Sequence, residues 1–164
     1  MNESRARFIL EGLGAGLIGY AVVAALFALL NLVQGHSVFY TAALLGSDLF
    51  YGLRSPADVV IAPGPVLAYN GLHLLGFLLA GLFMRGLVGL AERIPQGWYL
   101  VLVLFLIVMP HVFGLPVWFQ GPVVAEISLG YVVFATSLAA LAMGAFFFAL
   151  HPRLRQSMRE YSDE

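Results

Sequence analysis

The chain has 164 residues, 61% of them hydrophobic and 10% charged, with a formal net charge of −1 and a mean hydropathy of +0.92. A soluble domain carries roughly 25% charged residues, so this composition excludes an ordinary water-wetted surface and points to lipid as the solvent. The charge balance gives no electrostatic footprint for a nucleic-acid partner, and the absence of cysteine excludes disulfides, thiolate metal sites and cysteine nucleophiles.

The first apolar run covers residues 8–33, with Glu11 as its only charge. A span needs about 20 apolar residues, and this run is too long for the apolar segment of a cleavable signal peptide. It reads as a retained anchor. Glu11 follows Arg7 by one turn, which suggests an ion pair near the membrane interface. Gly14-Ala15-Gly16-Leu17-Ile18-Gly19 has the letters of a dinucleotide fingerprint, but it lies inside an apolar helix instead of at a strand-to-helix turn. Its glycines are better explained as packing positions. Gly12 and Gly16, and Ala15 and Gly19, place small residues one turn apart, where another helix can approach closely.

The connection over residues 34–65 is the long one. Ser37 offers a cap, and Phe39, Ala42, Leu45, Leu49 and Leu53 approximate an apolar face, with Thr41 and Asp48 opposite. This predicts an amphipathic helix over residues 38–53 at the outer interface, with Asp48 turned toward water or a polar site. Ser55-Pro56-Ala57-Asp58 reads as a second helix start, and Pro63-Gly64-Pro65 as its end and the lead into the second span.

Three further runs cover residues 66–90, 98–119 and 123–150. The second span carries Gly71, Gly76, Gly81 and Gly86, a spacing of five that winds around a helix. Trp98 and Trp118 bracket an uncharged run, 20 residues apart, or about 30 Å along a helix, the thickness of the hydrocarbon core. Seven arginines (Arg5, Arg7, Arg85, Arg93, Arg153, Arg155 and Arg159) share one side of a four-span layout, and Arg54 alone lies on the other. The positive-inside rule places both termini in the cytoplasm of a cell whose inner (plasma) membrane holds the chain. The expected fold is therefore all-α: one membrane domain over 1–164, a four-helix transmembrane bundle with an additional amphipathic interfacial helix on the outer face. His151-Pro152-Arg153 closes the last span, with His151 read as a residue favourable to the helix dipole.

The polar residues inside the spans are the functional candidates, because polar groups in lipid are costly and face the protein interior. His73 and His111 fall at matching depths in the second and third spans, with Asn70 one turn from His73 and Pro110 bending the helix at His111. Two imidazoles so placed suit a b-type haem. Joined by His36 or Glu126 they suit copper or zinc. Hydrogen bonding across helix interfaces, or a proton or quinol role, accounts for the same residues without a cofactor. With no nucleotide site and no nucleophile with a base, the leading expectation is a small accessory subunit of a bacterial membrane complex, with a respiratory complex one candidate. Lipid is its solvent, and other membrane subunits or a second copy are its partners. A self-contained haem or metal protein is the alternative. A small transporter or channel is a third reading, weakened by the scarcity of ionisable residues near the midplane.

Overall fold

The structure is a computed structural model that describes residues 3–93, 123 and 126–152, with the side chains of residues 3 and 4 left aside. Within these residues the fold is all-helical: α1 (Glu3–Val33), α2 (Tyr40–Tyr51), a 3-10 turn (Pro56–Asp58), α3 (Pro63–Ala91) and α4 (Leu129–Leu150). Three of the helices contain segments long and apolar enough to cross a membrane: Arg5–Val33, Pro63–Ala91 and Leu129–Leu150. The expected span over residues 98–119 and the tail from residue 153 lie outside the described residues, as do His111, Trp98 and Trp118.

The core follows from the sequence at helical spacing. On α1 the buried stripe is Glu11, Gly12, Ala15, Gly16, Gly19, Val23 and Asn31; on α3 it is Phe77, Gly81, Met84, Val88 and Ala91. On α4 it is Val132, Ala135, Thr136, Ala139, Ala140, Met143 and Phe147. Residues three and four apart share a helix face, so each stripe is one face, and the three faces converge on a common core. The opposite faces carry outward leucines and phenylalanines, among them Leu17, Leu29, Leu75, Leu79, Phe83, Phe134 and Leu141.

The α1–α3 contact is set by glycine. A Cβ on Gly81 would run into the Gly12 carbonyl oxygen and come within 2.6 Å of the Gly16 nitrogen, and one on Gly16 would lie 2.8 Å from the Leu78 Cα. Backbone thus meets backbone, as small residues allow. Gly19 instead faces side chains, those of Met143 and Phe77. Of the α3 glycines spaced at five, Gly81 makes this crossing, whereas Gly71 and Gly86 face open space among the described residues.

α1 ends in a Schellman motif. Gly35 is left-handed at φ 78°, the His36 N–H donates to the Asn31 carbonyl at 2.8 Å, and the Gly35 N–H donates to Leu32 at 3.0 Å. Here the chain turns into α2. Ser37 does not cap that helix as its sequence suggests. The N-cap is Phe39, without a side-chain cap, while Ser37 Oγ accepts from the Phe39 N–H in a local turn. The buried run of α2 is Ala43–Ser47, and Phe39 and Leu49 point outward. The expected apolar face is rotated because α2 rests on the start of α3, where Gly46 approaches the Pro65 backbone. Ser55 does cap the 3-10 turn, accepting from the Ala57 N–H. Pro63 ends nothing. It opens α3 at the first helical turn, where its fixed φ fits and its missing N–H costs nothing.

The α1–α2 corner is tied by Asn31, which is 3% exposed. Its Nδ2 donates to the Val38 carbonyl at 3.2 Å and its Oδ1 accepts from Thr41 Oγ1 at 2.8 Å. Asn31→Leu leaves both partners short of a hydrogen bond and is expected to cost about 1–2 kcal/mol. Amide exchange over residues 38–44 should rise roughly tenfold while that of α3 is unchanged.

Candidate functional site

Two polar clusters mark the two ends of the bundle. Glu11 and Asn31 anchor them on α1, 20 residues apart, or about 30 Å.

At the Glu11 end, three helices contribute charge. Arg7 Nε donates to Glu11 Oε1 at 2.6 Å, and Arg85 Nε of α3 donates to Oε2 at 2.5 Å. His151, the residue directly after α4, places Nε2 3.1 Å from the same Oε2 and Nδ1 2.9 Å from Glu92 Oε1. The Glu11 and His151 side chains are 8% and 6% exposed and that of Arg85 is 15% exposed, whereas that of Arg7 is 67% exposed. The Arg85 guanidinium also sits 5.5 Å from the Phe8 ring centroid, a cation–π distance. The expected Arg7–Glu11 pair is present, but it is the outermost part of a larger network. Sequence reasoning missed Arg85 and His151 as its members. The signal was available: His151 continues the buried stripe one turn beyond Phe147, and Arg85 falls between Gly81 and Val88 on the face that meets α1.

At the Asn31 end, a polar pocket opens between the end of α1, the start of α2 and the start of α4. Its polar lining is Asn31, Gln34, His36, Tyr40, Thr41, Glu126, Ser128 and Tyr131, over Phe27, Leu30 and Ile127. His36 stacks on Tyr40 with ring centroids 4.2 Å apart. Partial burial and the Glu126 carboxylate raise the pKa of the Tyr40 hydroxyl above its ordinary value. His36 and Glu126 are thus brought to one pocket. Asp48 is absent from its lining and is half-buried on α2, where desolvation raises its carboxyl pKa.

His73 is elsewhere, in the α1–α3 interface. It stacks on Tyr69 with centroids 5.3 Å apart and meets Phe77 edge-on at 5.1 Å and Tyr20 at 6.1 Å. Asn70, one turn away, accepts from Tyr20 Oη at 2.9 Å and donates to the Val66 carbonyl at 2.8 Å. The contacts of His73 among the described residues are with rings. Its expected partner His111 lies outside those residues. Among the described residues no group of three or more His, Asp or Glu is placed to hold a metal, and His73 is not among the residues that line the pocket of His36 and Glu126.

No family model matches the chain, and no curated protein and no solved structure matches it.

Proposed function

We propose that the chain is a small multi-pass accessory subunit of a membrane complex, with a respiratory complex one candidate. The observation that carries this reading is the consumption of polar groups by the bundle itself. Glu11, Arg85, Glu92 and His151 bond one another, Asn31 and Asn70 are bonded locally, and no buried side-chain nitrogen or oxygen among the described residues lacks a partner. What the helices offer outward is apolar surface, suited to lipid and to other subunits.

The proposed layout has four crossings. Glu92 bonds His151 at the Glu11 end, while Glu126 and Ser128 line the pocket at the opposite end. The chain therefore leaves α3 at one end and enters α4 at the other, and residues 98–119 are the uncharged run between them. The arginine distribution assigns the Glu11 end to the cytoplasm and α2 to the outer interface.

A second reading, a b-haem protein ligated by His73 and His111, draws on the His73 imidazole, whose contacts among the described residues are with rings. One preparation tests both readings. The protein is extracted from its native membrane in a mild detergent, sized, and its absorption spectrum measured. The subunit reading expects a particle larger than the monomer containing different chains, with no Soret band that depends on His73. A lone chain whose Soret band disappears in His73→Leu contradicts it and establishes the haem reading. A lone, colourless chain contradicts both.

A further inference from the structure

The Glu11 cluster contains a contact that its ordinary protonation states leave unfilled. Both ring nitrogens of His151 face carboxylate oxygens, Nδ1 that of Glu92 at 2.9 Å and Nε2 that of Glu11 at 3.1 Å. A neutral imidazole has one N–H and one lone pair, and an ionised carboxylate only accepts. Between two carboxylates, neutral His151 makes one hydrogen bond and sets its lone pair against negative oxygen. Both contacts are hydrogen bonds only with one more proton, carried either by an imidazolium or by a Glu92 carboxylic acid that donates to Nδ1.

The surroundings make that proton consequential. His151 is 5% and Glu11 7% exposed, so little water reaches an unfilled contact. Among the described residues, the charged groups facing the ring from the elements packed on it are Glu11 on α1, held by Arg7 and Arg85, and Glu92 after α3. On α4 itself the ring neighbour is Phe147. These two arginines and two glutamates cancel, so the extra proton leaves these groups with one net positive charge. The elements joined are the start of α1, the end of α3 and the end of α4.

We propose that His151 and Glu92 share one proton that clamps the end of α4 to α1 and α3, and that its loss releases the end of α4. The clamp is closed at lower pH and opens as pH rises. The sign comes from linkage: the closed arrangement binds a proton that the separated groups give up as pH rises, so the stability the clamp supplies is present at low pH and lost at high pH. The inference rests on the geometry of this cluster and is independent of the proposed subunit role.

The test compares the wild-type protein in detergent micelles with Glu92→Gln. The side-chain amide that this substitution introduces can donate an N–H to Nδ1 of a neutral imidazole whose Nε2–H bonds Glu11, so the clamp closes without the extra proton. The thermal midpoint of the wild type should fall by about 3 °C or more between about pH 6 and about pH 8.5, and that of Glu92→Gln should stay level. In a protein with 15N-labelled histidines, the His151 signals, identified by their loss in His151→Gln, should show the extra proton on the His151–Glu92 pair at the lower pH. In Glu92→Gln they should show the neutral Nε2–H tautomer. If His151→Gln does not fold, the comparison of midpoints decides. A wild-type midpoint that is level across this range, or a Glu92→Gln protein with the full wild-type pH dependence, overturns the proposal.

Discussion

Replacing Glu11 with leucine is expected to destabilise the bundle by about 3 kcal/mol, measured as the change in unfolding free energy in mixed micelles. The reason lies in the groups left behind. Arg85 has 15% of its side chain exposed and directs Nε at Glu11 Oε2, and His151 shares that oxygen. Removing the carboxylate leaves a guanidinium and an imidazole facing each other in a poorly hydrated site, and breaking a buried pair from one side costs about 3–5 kcal/mol. The lower figure is expected because the long arginine stem can swing its head toward the membrane surface. Arg7→Leu is the control. The Arg7 side chain is 67% exposed, and exposed partners contribute little, so it should leave stability near that of the wild type. If the two variants behave alike, the buried network does not hold the helix ends together.

Gly81→Val should separate α1 from α3 and cost about 1–3 kcal/mol or more. The obstruction is backbone, which cannot rotate away: the Gly12 carbonyl oxygen, and the Gly16 nitrogen and Cα at 2.6 and 2.9 Å from the added Cβ. The crossing lies one turn from the Glu11–Arg85 pair, so parting the helices also lengthens that contact, and Gly81→Val combined with Glu11→Leu should cost less than the sum of the two. Gly86→Ala, five residues along the same helix, meets nothing within 4 Å among the described residues. It should leave stability unchanged or raise it by up to about 1 kcal/mol through helix propensity. Equal losses from both substitutions would contradict the glycine crossing.

The positions of the apolar helices are legible in the sequence because lipid demands long uncharged runs, and α1, α3 and α4 cover the expected runs 8–33, 66–90 and 123–150 to within a few residues at most ends. The largest displacement is at the start of α4, which begins at Leu129. Spacing predicts a short helix over residues 38–53 and α2 occupies Tyr40–Tyr51, but its buried face differs from the expected one. Periodicity reports which residues are apolar, and α2 is apolar on most sides. Contact with the start of α3 through Gly46 decides the rotation, and a single strand of sequence does not contain that contact. Pro63-Gly64-Pro65 is ambiguous for a related reason: proline both ends and begins helices, and here the apolar run after it makes it a beginning.

The Glu11 cluster is half legible. An i,i+4 pair is local and can be read from spacing alone. Arg85 and His151 lie 74 and 140 residues from Glu11, and only the convergence of three buried stripes joins them. From sequence His151 suits the helix dipole, because its neighbours along the chain offer no acid; its acids come from α1 and the end of α3. His36 lies in the polar pocket and His73 in the α1–α3 interface, and His111, the residue expected to match His73 in depth, lies outside the described residues. Depth along a helix does not specify the face, and the face decides which groups meet.

In the proposed layout the Glu11 cluster and the Asn31 pocket lie on opposite sides of one membrane, with the Glu11 end in the cytoplasm. The chain contains no cysteine, so single substitutions Ser55→Cys and Arg93→Cys can be labelled on intact spheroplasts with a membrane-impermeant maleimide. Ser55→Cys should react in intact spheroplasts, and Arg93→Cys should react only after they are permeabilised. Reaction of both from the outside, or of Arg93→Cys alone, would contradict this layout.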